Sequence, residues 1–231
     1  MEEFVFRSPR YRRLSDQVYR QVKEAVLSGR YKPGDRLPSE KELSEIFGVG
    51  RPVIREALRF LESIGLVSVR PGAGGGAFVR EIEPRVLAET FEGIVRVEDV
   101  TMEELTEARM AIELAILPLV VKRISQGDIK ELEINVKEAR ESLEKGIREP
   151  KNLKFHIILA KASRNRLLSK ITEAVFRLLA KLLQQYEYSY ERKKKILEDH
   201  EQIMKLLKHN DYERLQRALE RHIRDTLKLF K

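Results

Sequence analysis

The sequence predicts a mainly α protein in two parts: a helix-turn-helix domain closed by a small β-hairpin, then an all-helical bundle. Three observations carry that expectation. Two short amphipathic helices with a capping signal meet at a tight turn around Gly48. Directly after them, the run Gly72-Ala73-Gly74-Gly75-Gly76 separates two β-prone stretches. Beyond Pro84 the glycine-rich and strand-like signals stop, and the remaining chain reads as helix.

Residues 1–10 read as an arm in which Arg7 and Arg10 flank Ser8-Pro9, placed to add phosphate contacts or simply disordered. From Leu14 to Ser28 a helix is expected, with Leu14, Val18, Val22, Ala25, Val26 and Leu27 as its apolar positions. Gly29 ends it, and Tyr31-Lys32-Pro33-Gly34 is a turn. Ser39 with Glu42 three residues on is a capping box, so the next helix starts at Glu40 and lays down Leu43, Ile46 and Phe47. Gly48 terminates it, and Gly50 occupies the following N-cap with Pro52 in the first turn. Ile54, Ala57, Leu58, Leu61 and Ile64 mark the buried side of this second helix, which Gly65 ends. Two helices joined by so short a link must cross steeply.

Leu66 to Arg70 alternates like a half-buried strand, and Ala77-Phe78-Val79 returns from the glycine turn. A hairpin beside such a helix is a wing. No Lys-Ser/Thr follows the glycines and no helix opens from them, so a nucleotide loop is discounted. The glycines instead let the backbone approach a sugar-phosphate strand closely. On the polar side of the second helix, Arg51, Arg55 and Arg59 project from one face at four-residue spacing. Arginine bridges guanine O6 and N7 in a major groove, so these three are candidates for base reading; a solvated charged face is the plainer alternative. Arg70, at the end of the first strand, joins the DNA-contact candidates.

The segment resembles the winged-helix DNA-binding domain of the GntR family of bacterial transcription regulators, whose pattern approximates PGxxLPSExxLxxxxxVSRxxVRxALxxLxxxGL. The matching residues are Pro33-Gly34, Leu37-Pro38-Ser39-Glu40, Leu43, Val49, Arg51, Val53, Arg55, Ala57-Leu58, Leu61 and Gly65-Leu66. The resemblance implies that Lys41, Arg51 and Arg55 touch bases or nearby phosphates and that Gly72 lies at the wing tip. One departure is Gly50, where the family usually has Ser or Thr; it removes a hydroxyl able to cap the helix and reach a phosphate.

Composition bounds the rest. The 231 residues suffice for two modest domains, and none is a cysteine, which excludes disulfides, thiolate metal sites and cysteine nucleophiles. Apolar runs fall short of the ~20 residues that span a bilayer. The acidic start, Met-Glu-Glu-Phe-Val-Phe, lacks a signal-peptide layout, so a cytoplasmic protein with no membrane partner is expected. Of the formal charge of +8, residues 1–80 carry +5 (15 Lys and Arg against 10 Asp and Glu). The smaller part is thus the more basic, as nucleic-acid binding requires. A charged fraction of 35% also suits a heat-stable protein rich in surface ion pairs.

The expected domains are 1–80 for DNA binding and 87–231 for an effector-binding and dimerising bundle, with a linker at 81–86 that Pro84 interrupts. Six or seven helices are expected in the bundle: Val86–Val97, Thr101 (capping box with Glu104) to about Ser125, a third helix that Gly127-Asp128 separates from it and that ends near Gly146, then Pro150–Ala162, Arg166–Tyr186, Tyr190–Lys208 and Asp211–Phe230. Asn210-Asp211 is read as a turn and cap.

Four histidines occur: His156, His200, His209 and His222. His209 sits in a polar turn. His200 lies among Ile196, Leu197, Ile203, Met204 and Leu207, His222 among Leu215, Leu219 and Leu229, and His156 beside Leu153, Ile157 and Ala160. Spacing leaves two readings open: separate hydrogen-bonded core histidines, or imidazoles gathered from facing helices around a divalent transition metal.

Residues from about Thr101 to Phe230 also resemble the helical effector domain of the FadR subfamily, the FCD domain. Its E-x-R-x-x-x-E is matched by Glu107, Arg109 and Glu113, and its D-x-x-F-H by Asn152-Leu153-Lys154-Phe155-His156. The following A-x-x-N is matched by Ala162 to Asn165, and the last helix pair by His200, Ile203, Asp211, Ala218 and His222. The resemblance implies that His156, His200 and His222 hold a metal, zinc or alternatively nickel, whose coordination a small carboxylate effector completes. Asn152 stands where the family has a ligating aspartate, and its amide oxygen is a weaker ligand. Arg109 is the candidate partner for the effector's carboxylate, with an intrahelical bridge to Glu113 as the competing role. Sugar acids and other small hydroxy-carboxylates are the implied effectors, acyl-CoA less so.

The function so read is a ligand-responsive, homodimeric transcription repressor on a palindromic operator, since one short recognition helix reads few base pairs. The chain is not expected to be an enzyme. A three-histidine metal with an open position can activate water, but His200-Glu201 lacks the second histidine of H-E-x-x-H. The alternatives are a metal-dependent hydrolase fused to a DNA-binding domain and an effector-independent DNA binder.

Overall fold

A computed structural model describes residues 14–72, 74–81, 83–146, 152–184, 189–209 and 211–227. The arm at 1–10, Pro150, Tyr186, Asn210 and Phe230 lie outside these described residues. The chain divides into two compact units, Met1–Glu83 and Pro84–Lys231.

In the first unit, α1 (Leu14–Leu27), α2 (Glu40–Phe47) and α3 (Arg51–Ser63) precede the antiparallel pair β1 (Val67–Arg70) and β2 (Gly76–Val79). The capping box forms as expected: Ser39 Oγ accepts from the Glu42 N–H, and the Glu42 carboxylate accepts from the Ser39 N–H at 2.7 Å. Gly48 ends α2 at φ +64°, a left-handed conformation that glycine adopts without strain. Gly50 then caps α3 with no side-chain hydrogen bond, and Pro52 lies in the first turn. Val18, Val22, Leu43, Ile54, Leu61, Val67 and Val79 close a shared core. The segment before α2 runs along the free edge of β2, with the Leu37 N–H donating to the Ala77 carbonyl and the Val79 N–H to that of Asp35. The apolar faces are narrower than the sequence suggested. Leu14 and Leu27 are exposed because the inward stripe of α1 runs Ser15, Val18, Val22, Val26, and Ile46 and Ile64 likewise turn outward.

The second unit comprises α4 (Pro84–Val97), α5 (Met102–Arg123), α6 (Gln126–Glu144), α7 (Asn152–Ala162), α8 (Arg166–Leu183), α9 (Tyr190–Lys208) and α10 (Tyr212–Leu227). Pro84 does not interrupt this region. It opens α4, where a missing N–H is harmless, so residues 84–86 are helix and not linker. Gly127-Asp128 is likewise not a break: Ser125 caps α6, and Asp128 completes that cap from inside the first turn. Pro118 lies within α5 on its exposed side. Asn165 accepts from the Leu168 N–H and so caps α8. Apolar side chains of α5, α6, α7, α9 and α10, among them Leu117, Leu132, Phe155, Ile203 and Leu219, form the main core. A second cluster joins Phe91 and Val95 of α4 to Val175, Phe176 and Leu179 of α8.

The Ser39 cap makes a direct expectation. Ser39→Ala should lower stability by about 1 kcal/mol, read as a shift of the thermal unfolding midpoint. An unchanged midpoint would mean that the α2 N-terminus is held by packing alone.

Candidate functional site

The DNA-facing candidates lie in the first unit. Where α3 crosses α2 one side of α3 is left uncovered, and Arg51, Arg55 and Arg59 are exposed there. Arg55 is tied back to the start of α2, its Nε donating to Glu40 Oε2 at 2.7 Å, so its guanidinium is braced across the crossing. Lys41 is exposed and near Glu45 at 3.9 Å. The Arg70 guanidinium covers the Phe78 ring at 4.6 Å, and Gly72 is exposed in the turn beyond it at φ +95°. Gly75 has no room for a side chain: a Cβ there would sit 2.2 Å from the Arg70 carbonyl oxygen.

The second unit brings three of the four histidines together. His156 comes from α7, His200 from α9 and His222 from α10, each at most 2% exposed. Their Nε2 atoms form a near-equilateral triangle: 3.2 Å between His200 and His156, 3.3 Å between His200 and His222, and 3.3 Å between His222 and His156. Aromatic packing holds two of the rings. His200 stacks on Phe155 at 4.2 Å with 6° between planes, and His156 on Phe176 at 4.9 Å with 10°. His209 is exposed at the end of α9.

Charged groups stand behind this triangle. Arg109 Nε donates to Glu113 Oε1 at 2.6 Å, so the intrahelical bridge on α5 is formed. The same carboxylate accepts at its other oxygen from His156 Nδ1 at 2.5 Å. Arg109 Nη2 lies 3.0 Å from His156 Nε2, and Nη1 lies 3.4 Å from Thr226 Oγ1. A guanidinium only donates, so His156 Nε2 must be an acceptor and its proton sits on Nδ1. Asp199 Oδ2 stands 3.4 Å from His222 Nδ1 and accepts its N–H. Glu107 is exposed, and Asn152 begins α7 one turn before His156.

Burial sets the protonation. It pushes both His156 and His200 well below the ordinary histidine range, and the Arg109 cation and the His222 ring push the same way. Burial also raises the Glu113 carboxyl, against the opposing pull of Arg109. Burial would raise Asp199 as well, but its bonds to His222 and Lys195 outweigh that and hold it low.

These observations test whether the residues fit a metal. His156 Nε2, an acceptor toward Arg109, has the Nε2 atoms of His200 and His222 at 3.2 and 3.3 Å, so three ring nitrogens from three helices converge on one point. Three imidazoles bound to one ion through bonds of about 2.0–2.1 Å at near-tetrahedral angles need nitrogen separations of roughly 3.3 Å, as found. The donor set fits a borderline transition metal. Asp199 escaped the sequence reading because its partner ring belongs to the next helix. The only local sign was a carboxylate next to a histidine on an apolar stripe.

Comparison with known proteins adds two family matches. Residues 14–79 match the model described as "Bacterial regulatory proteins, gntR family", and residues 104–225 match the FCD domain. The chain is 30% identical over 226 residues to the Exu regulon transcriptional regulator of Escherichia coli K12, covering 93% of this chain and 83% of that protein. It is 28% identical over 184 residues to the HTH-type transcriptional regulator LutR of Bacillus subtilis, covering 77% and 83%. The solved structure of Streptococcus agalactiae GntR superposes with a TM-score of 0.72 at 24% identity, covering 92% and 98%, and shares the fold.

The neutral buried rings make stability depend on pH. In chelator-treated protein, the unfolded chain takes up protons below the ordinary histidine value of 6.5, which folded His156 and His200 refuse. Folded stability should therefore fall as the pH drops below that value, by roughly 1.4 kcal/mol per pH unit for each ring. Urea unfolding at about pH 7.5 and about pH 5.5 reads this. A His156→Phe, His200→Phe double variant should flatten the slope, and an identical slope would show that other groups cause it.

Proposed function

We propose that this chain, which belongs to the GntR family of bacterial regulatory proteins, represses transcription in response to a small carboxylate bound with a metal in its helical unit. Family membership makes it a transcriptional regulator with an FCD domain. The metal, the effector and the sign of the response are our reading. A single observation carries it: three buried Nε2 atoms, from three different helices, converge within 3.3 Å of one another.

His156, His200 and His222 would hold the ion, zinc or nickel by donor type, with Asn152 as a weak additional oxygen ligand. Such an ion supplies Lewis-acid positions that a carboxylate completes. Arg109 lies beside the convergence point, and its planar fork suits a second, charge-assisted grip on that anion. Its charge is already half-answered by Glu113, which keeps a buried guanidinium tolerable before an anion arrives. Glu113 serves Arg109 and His156, and Asp199 serves His222 and Lys195, so neither is set to activate a water as a hydrolase needs.

On the DNA side, Arg51, Arg55 and Arg59 line the exposed face of a thirteen-residue helix, with Lys41, Arg70 and Gly72 as flanking contacts. Such a helix reads few base pairs, which favours a homodimer on a palindrome.

Two outcomes are expected. A His200→Ala, His222→Ala double variant should lose its metal by elemental analysis, and native mass spectrometry of the wild type should show an ion with a trapped organic acid. Full metal content in that variant would overturn the site. Arg51→Ala and Arg55→Ala should each cost roughly 1–3 kcal/mol on an operator selected from a random pool, and less on random DNA. Equal weakening on both would reduce these residues to phosphate contacts.

A further inference from the structure

We infer that Asp199 is a positioning residue: its carboxylate, behind His222 Nδ1 and pinned by Lys195, turns His222 Nε2 toward the other two rings. The inference rests on the metal reading above and adds a residue to it.

An imidazole that binds an ion through Nε2 must carry its proton on Nδ1; in the other tautomer it presents an N–H to the ion. Two of the three rings have an acceptor at Nδ1 that meets that demand, and the third is held by stacking. His156 is bracketed by the Glu113 carboxylate at Nδ1 and the Arg109 donor at Nε2. His200 is clamped flat against Phe155. His222 has Asp199 Oδ2 at 3.4 Å from Nδ1. The other oxygen, Oδ1, accepts from Lys195 Nζ at 2.8 Å, one turn earlier on α9, so the carboxylate is held from both sides.

The placement is economical in sequence. Asp199 immediately precedes His200, so α9 delivers one candidate ligand and the group that orients another on α10. A slip of α9 against α10 would displace both together. Asp199 therefore ties the register of the two helices to the geometry of the site, and it is itself buried.

The test uses full-length protein loaded with Zn²⁺ or Co²⁺ against a competing chelator, with folding followed by circular dichroism. Asp199→Ala should weaken Zn²⁺ binding roughly 10- to 100-fold and shift the visible Co²⁺ bands. Asp199→Asn, which keeps an oxygen acceptor and the side-chain volume, should recover part of the loss. In a His222→Ala background, Asp199→Ala should add nothing further, because the ring it orients is gone. Wild-type affinity and an unchanged Co²⁺ spectrum in Asp199→Ala would overturn the inference while leaving the metal site standing. So would an equal further loss in the His222→Ala background. If His222→Ala alone bound metal like the wild type, the metal reading would fall and this inference with it.

Discussion

The second unit depends on how it houses a cluster of ionisable side chains where only apolar ones are cheap. Arg109, Glu113, His156, Asp199, His200 and His222 are all buried beside a core of mainly aliphatic side chains and Phe155. An unpaired charge in that setting would cost several kcal/mol, so the cluster is arranged as a connected chain. Arg109 is answered by Glu113, Glu113 by His156, and His156 and His200 are held neutral by the same burial that makes charge expensive. His156, with its proton on Nδ1 toward Glu113, turns its Nε2 lone pair inward, and the Nε2 atoms of the other two rings meet it there. The cluster thus meets the requirements of an apolar core and of a cation site together.

The first unit follows a different economy. Its core is small, and its polar residues work at helix ends and on the surface. The Ser39–Glu42 cap, the left-handed Gly48 and Pro52 settle where α2 stops and α3 begins, without any long-range contact. The Arg55–Glu40 bond then braces the crossing from outside, where an exposed ion pair contributes little energy but limits where the guanidinium points. Gly50 gives the α3 N-terminus no side-chain cap; its carbonyl instead accepts from the Val53 N–H at 3.0 Å, and Pro52 has no N–H to satisfy.

Local signals were read well where short-range chemistry decides the outcome. Both expected capping boxes, at Ser39 and Thr101, form as read, and the bounds of α9 agree with the expected helix. Two physical effects separate the structure from the local signals. Proline and glycine usually punctuate, yet Pro84 and Gly127 each sit in the first turn of a helix where the defect is harmless. Periodicity places Ile46 and Ile64 on buried faces, but a small core covers only a narrow stripe of each helix.

The sequence by itself determined the two-part architecture, the helix-turn-helix with its hairpin, the arginine face of α3, and the three histidines on apolar stripes. These follow from spacing of 3.6 or two residues, from caps and from turn chemistry, all of which act within a few positions of the chain. Only the tertiary structure decided that the three rings meet, that Arg109 and Glu113 both reach His156, and that Asp199 stands behind His222. Those contacts link residues 44 to 66 positions apart for the rings to His156, and 23 apart for Asp199 and His222. They depend on the register in which α5, α7, α9 and α10 pack. No local propensity encodes that register, because it is set by how all the apolar side chains of the bundle fill space at once.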